Sequence, residues 1–328
     1  MESPEDISAH RHVSDRQLSR RSLLGCSVAA FAGAAGLLTA CTTHDENASG
    51  GTHDENASGG THNENDSRGR VLFEDVFAGN SLSREHWNPY ICDSNSHGWP
   101  WLMQPSVAVP SSATVRAHGY NLAYDLPSAI RVDDGLTLSS YRGTRAAGYS
   151  WTGSVMCSNP TSNNFGSGTV HTAGFTFADA RVEVRAKMPD LTSGQWPSIW
   201  CLPASDGQGP EIDLFEGGFL SETIHPNQLM AVHLFTSGNH QQLLDCGTDL
   251  SAAYHTYAME YRQGSSIKLF FDDSHVYTYT HNVPVGRYFL IMTNGIASAN
   301  AVHWHTQVSN STPAINLLRV AYVRVRAL

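Results

Sequence analysis

The densest chemistry in the chain lies in nine residues, Pro210-Glu211-Ile212-Asp213-Leu214-Phe215-Glu216-Gly217-Gly218, where three carboxylates are interleaved with large apolar side chains. Successive side chains of an extended strand point to opposite faces, so Glu211 and Asp213 share a face while Glu216 points the other way. One extra residue, a β-bulge, would restore the phase and put all three acids on one open face, with Ile212 and Leu214 or Phe215 turned to a core. Crowding three carboxylates is electrostatically unfavourable, and catalysis supplies a reason to tolerate it. Two carboxyls flanking a glycosidic bond can act as nucleophile and as acid/base, and a third between them can hold a proton or raise a neighbour's affinity for one. A retaining mechanism asks for about 5 to 5.5 Å between the two working carboxyls. Their α-carbons would lie about 13 Å apart at roughly 3.3 Å per residue, so strand curvature has to lean the side chains together.

The elements that must hold these acids read as strands. From Arg70 onward, short apolar alternations are bounded by Gly, Pro, Asn, Asp and Ser, and no helical period is sustained over a helix-length window. Clear strand signals run through 175–188, 267–271 and 317–325. Many short strands over residues 70–328, undivided by any repeat or linker, predict an all-β, two-sheet sandwich forming one domain. The Pro-, Trp- and Ser-rich stretch 88–112 reads as long loops over the sandwich edge or near the cleft, with Trp99 and Trp101 as core anchors or sugar platforms.

The amino terminus reads as an address. Arg20-Arg21 precedes an uncharged, Ala-, Gly- and Leu-rich stretch that ends in Leu38-Thr39-Ala40-Cys41. The pattern resembles a bacterial twin-arginine export signal closed by a lipobox, which makes residues 1–41 the signal and Cys41 the lipidation site. An uncleaved membrane helix and cleavage without lipid are the alternatives, and all three readings place the remainder outside the cytoplasm. Residues 42–69 carry three copies of a nine-residue Thr-His-Asp-Glu-Asn-type repeat, read as a flexible, solvated linker.

Charge excludes one class of partner. The first 69 residues hold 5 basic and 10 acidic side chains and the remainder 15 and 20, so no basic field exists to attract nucleic acid. A neutral or uncharged partner fits better. Cys92, Cys157, Cys201 and Cys246 lack the close pairing of a zinc site, so one or two disulfides are the preferred reading and buried thiols the alternative.

The carboxylate segment resembles the E-x-D-x-x-E signature of glycoside hydrolase family 16, the laminarinase, agarase and carrageenase family. The likeness continues upstream through Arg181-Val182-Glu183-Val184-Arg185-Ala186-Lys187-Met188-Pro189 and Gly194-Gln195-Trp196-Pro197-Ser198-Ile199-Trp200, and downstream through His233, the run 254–261 and the run 267–273. It implies a β-jelly roll of two antiparallel sheets with a concave substrate cleft. It makes Glu211 the nucleophile, Glu216 the acid/base and Asp213 their partner, with Trp196, Trp200 and His233 binding substrate. His303 and His305 flank Trp304 at a metal-like i, i+2 spacing, but alternation along a strand or cleft rim is the preferred reading. Tyr261 stands where a Trp is common in the family, and Asn294-Gly295-Ile296-Ala297-Ser298 replaces a glycine-rich turn.

The function so implied is an exported, retaining endo-glycosidase, with a β-1,3- or mixed-linkage glucan as leading substrate. A β-galactan hydrolase or transglycosylase using the same site, and a non-catalytic wall-binding module, are the alternatives. A monomer is expected, touching the membrane through its lipid only. The chemistry requires no cofactor. A structural calcium is frequent in the family, though the chain presents no recognisable ligand set for one.

Overall fold

The computed structural model describes residues 69–89, 92–93, 101–102, 122–144, 150–158, 175–204, 210–236 and 239–328. The signal, Cys41, the repeats, Trp99 and most of the segment read as edge loops lie outside the described residues. Trp101 falls in the two-residue strand Trp101–Leu102, which pairs with Cys92–Asp93.

The fold is an all-β jelly-roll sandwich. One sheet places His240–Asp245, Leu229–Phe235, Glu211–Glu216, Gln195–Pro203, Tyr288–Ile296 and Trp151–Ser158 side by side. The other runs Leu136–Arg142, Ile315–Ala327, Ala180–Lys187, His255–Arg262, Ser266–Phe271 and Ser274–Tyr279. Pairing is antiparallel throughout these two series. A short parallel contact joins Ala123–Asp125 to Trp151–Gly153.

The sheets meet in a single strand. Trp151 and Thr152 pair with Arg142 and Tyr141 of one sheet, whereas Ser154 to Cys157 pair with Tyr288–Ile296 of the other. Gly153 sits at the crossing, where a Cβ would lie 2.5 Å from Asp125 Oδ1 and 3.1 Å from the Asn294 carbonyl. A strand that changes sheets must bend where neighbours crowd in from both sides, and only glycine fits there.

Period-two alternation builds the core. Val182, Val184 and Ala186 of one sheet face Met230, Val232, Leu234, Leu290 and Met292 of the other, all buried in one apolar cluster. Tyr261 belongs to this core as well, and its hydroxyl donates to the carbonyls of Pro284 and Gly286 at 2.9 and 3.0 Å. Its difference from the family's Trp is therefore a packing choice remote from the carboxylates. Arg181 and Glu183 form a buried ion pair at 2.7 Å, with the Arg181 guanidinium over the Phe270 ring. This part of the family-like sequence serves the second sheet.

The disulfide preference is corrected: Cys157, Cys201 and Cys246 are thiols. Cys157 and Cys201 lie on strands flanking Tyr288–Ile296 on either side. Cys157 packs with Trp200, Phe289 and Ile291, while Cys201 belongs to the inter-sheet core, so the two thiols occupy opposite faces of one sheet. Burial, then the Asp213 and Glu211 charges, push the Cys201 thiol well above its ordinary range, so it is inert.

Candidate active site

The bulge that the acidic segment requires is present. Asp213 lies opposite His233 and Glu216 opposite Ala231, so three steps on one strand match two on its neighbour. The other neighbour agrees, with Trp200 opposite Asp213 and Ile199 opposite Phe215. The extra residue turns both Leu214 and Phe215 into the inter-sheet core alongside Ile212. Glu211, Asp213 and Glu216 are left to the other face, exposed by only 2%, 0% and 2%.

Neighbouring strands supply the surroundings by register. Gln241, His233, Asp213, Trp200, Ile291 and Cys157 form one row across the sheet. Leu243, Ala231, Glu216, Ser198, Thr293 and Val155 form the next. The carboxylates thus occupy the third strand of six, flanked by an aromatic strand on one side and a histidine strand on the other.

Two side chains close on the acids. His233 Nδ1 lies 2.5 Å from Glu216 Oε2 and 3.6 Å from Asp213 Oδ2, and its ring stacks on Phe235 at 4.9 Å. The Trp196 indole N–H donates to Glu216 Oε1 at 3.0 Å. Three carboxylates this deeply buried repel one another, and a histidine that can carry a proton among them offsets part of that cost. One ligand atom from each of Asp213, Glu216 and His233 lies within 4.8 Å of the others. Two carboxylates and one nitrogen do not make the all-oxygen cage that calcium takes, and the 2.5 Å contact is a hydrogen-bond distance.

Trp196 and Trp200, expected as substrate platforms, are 8% and 4% exposed. Trp196 is engaged with Glu216, while Trp200 packs with Val155, Cys157, Phe289 and Ile291. Beyond Glu216 the wall is built by residues the sequence singled out weakly or not at all. Phe219 stacks obliquely on Trp304 at 5.1 Å and approaches His233 at 5.5 Å, and Trp304 meets Trp196 edge-on at 5.3 Å. Aromatic spacing could not reveal this group, because Phe219 and Trp304 come from loops 85 residues apart in the chain that meet at a bridge between Phe219 and His305.

His303 and His305 do not alternate along a strand. His303 lies on the turn following the short helix Ala299–Ala301 and is exposed, while His305 lies at the bridge to Phe219 and is fully buried. Burial pushes the His305 imidazole down to about 4, against the opposing pull of the carbonyls of Thr306 and Gly217. The unfolded chain therefore takes up a proton that the folded chain refuses between pH about 6.5 and about 4. Folding stability contributed at this site is complete above the upper limit and lost as the pH falls to the lower one, by up to about 3 kcal/mol. Denaturant titrations of wild type and His305→Gln at pH 7 and pH 4.5 check this: the wild type should weaken more. An equal loss in both would remove His305 from the acid sensitivity.

A jelly-roll sandwich with two glutamates and an aspartate buried on one strand face, Glu216 held by Trp196 and His233, has the makings of a glycosidase. The sequence model of the glycosyl hydrolases family 16 matches residues 127–313, and the chain belongs to that family. The β-glucanase of Bacillus subtilis (strain 168) is 38% identical over 61 residues, 18% of this chain and 25% of that protein, so the match spans a quarter of its length. Among solved structures, the endo-β-1,3-glucanase of Pyrococcus furiosus superposes with a TM-score of 0.58 at 18% identity, over 78% of this chain and 94% of that one. The laminarinase catalytic domain of Thermotoga maritima MSB8 gives 0.59 at 16% identity, over 80% and 99%. The Bacillus licheniformis β-glucanase gives 0.55 at 18%, over 78% and 98%. At these identities the superpositions establish a shared fold.

Proposed function

We propose that the protein is a retaining endo-glycosidase that cuts internal bonds of a β-1,3- or mixed-linkage glucan. The observation that carries this reading is the one-residue bulge between Asp213 and Glu216, which gathers Glu211, Asp213 and Glu216 on one buried face beside His233 and Trp196. Family membership supports the class of reaction, and the names borne by the structural relatives support the glucan.

In the first step the Glu216 carboxyl gives its proton to the glycosidic oxygen while a Glu211 oxygen bonds to the anomeric carbon. The bond from that carbon to the leaving oxygen breaks through an oxocarbenium-like state, leaving a glycosyl ester on Glu211. In the second step Glu216, now ionised, takes a proton from water, whose oxygen attacks the same carbon and frees Glu211. Inversion at each step gives net retention. Trp196 and His233 hold the two Glu216 oxygens through these proton transfers, and Asp213 lies within reach of the His233 proton. No cofactor enters either step.

The test is proton NMR of products formed from laminarin and barley β-glucan by the protein produced from Arg70 onward. First-formed β-anomers support the reading, and first-formed α-anomers would rule out double displacement. The amino-terminal residues support an exported lipoprotein, checked by incorporation of labelled fatty acid that a Cys41→Ser substitution removes.

A further inference from the structure

The ring of His305 is fully buried, touches no carboxylate in the hydrogen-bond and ion-pair geometry described, and is used by neither chemical step. Its two nitrogens both face backbone carbonyls, and the neutral ring donates its one N–H to one of them. Nε2 lies 3.0 Å from the Gly217 carbonyl and Nδ1 2.9 Å from the Thr306 carbonyl. Gly217 is the residue immediately after Glu216, so the ring grips the end of the bulged strand where its outermost acid sits.

Three further contacts point the same way. Gly218 has φ +87°, and a Cβ there would lie 2.3 Å from His305 Cε1 and 2.3 Å from the Gln195 carbonyl. The absence of a side chain at position 218 is what admits the imidazole. Thr306 N–H donates to the Gly218 carbonyl at 2.8 Å, and Gly217 N–H to the Pro197 carbonyl at 3.0 Å, so the Gly-Gly pair is clamped from two sides. The ring also meets that of Trp196 at 5.2 Å, the same tryptophan whose indole donates to Glu216.

We infer that His305 is a positioning residue for Glu216: one buried ring braces both the backbone that follows the acid and the tryptophan that hydrogen-bonds its carboxyl. Without it, the Glu216 proton would no longer be held in line with the departing oxygen, and a misplacement of about 1 Å costs about a hundredfold in rate. This rests on reading Glu216 as the acid/base, so the experiment includes a control that tests that reading separately.

A positioning role and a merely structural one differ in how the damage depends on the leaving group. Hydrolysis of laminarin needs a proton on its leaving oxygen. The first step with 2,4-dinitrophenyl β-laminaribioside does not, because dinitrophenolate leaves unaided. His305→Phe keeps an aromatic ring and removes both polar contacts. It is expected to lower kcat/KM for laminarin by about tenfold to a hundredfold while leaving kcat/KM for the dinitrophenyl glycoside within about threefold. His305→Asn, too short to span both carbonyls, is read in the same way should the Phe variant fail to fold. Equal loss on both substrates would reduce His305 to a packing role, and unchanged laminarin hydrolysis would dismiss it altogether. Glu216→Gln is measured beside them. If it too loses laminarin hydrolysis selectively, the acid/base reading stands and the His305 result decides the inference. If it shows no such selectivity, the acid/base reading is what fails.

Discussion

Glu211→Gln is expected to lower laminarin hydrolysis by about 10⁴-fold or more while leaving the thermal midpoint unchanged or slightly raised. The amide keeps the shape of the side chain but cannot form the glycosyl ester, and removal of a nucleophile is among the costliest single changes an enzyme suffers. No neighbour can take its place. Asp213 is one methylene shorter, fully buried and directly across from His233 and Trp200, and Glu216 is engaged by Trp196 and His233. Stability should not fall, because a buried carboxylate beside other acids is replaced by a neutral amide without leaving a cavity. Reducing-sugar release and a calorimetric scan of the same preparation check both halves. Residual activity above about a tenth of wild type would strip Glu211 of the nucleophile's role, since no lesser role matches the size of loss expected here.

The second large effect is on stability. Phe215→Ala is expected to cost about 3–5 kcal/mol, the usual range for deleting a buried aromatic ring, and to lower the midpoint by on the order of 10 °C. Phe215 is completely buried, and its ring lies 4.8 Å from that of Tyr257, which belongs to the opposite sheet. Its place beside the bulge makes the contact matter to function. The extra residue would let the strand slip by one position, and a slip would carry a carboxylate into the core. Leu214 and Phe215 together hold the register against that, by burying two adjacent side chains on the same side of the sheet. Leu220→Ala, at a residue 42% exposed on the adjoining loop, serves as the comparison and should cost under about 0.5 kcal/mol. A loss at Phe215 no larger than at Leu220 would show that the register is held elsewhere.

The acidic segment shows how far local pattern reaches. Glu211, Asp213 and Glu216 stand out because carboxylates among large apolar residues are unfavourable unless used, and their 2-and-3 spacing by itself calls for a bulge, which the strand register contains. The strand signals at 175–188, 267–271 and 317–325 overlap the strands Ala180–Lys187, Ser266–Phe271 and Ile315–Ala327, since alternation is a property of consecutive residues. Cysteine spacing misled because nothing local tells which face of a sheet a thiol will take. Cys157 and Cys201 face opposite ways on strands that are separated by a third. The same limit applies to His305, whose i, i+2 relation to His303 suggested a strand or cleft rim ahead of a metal pair, and which instead is buried against Gly217.

The all-β class, the family and the gathering of three acids on one bulged strand were legible in the sequence by itself, because each rests on residue types at short, fixed separations. Only the tertiary structure decided what surrounds them. Register across six strands set His233 and Trp196 on the two oxygens of Glu216, and a loop nearly ninety residues further along the chain brought His305 behind it. Contacts between distant segments follow from how whole sheets pack and where loops return, and that information is spread over every strand of the core.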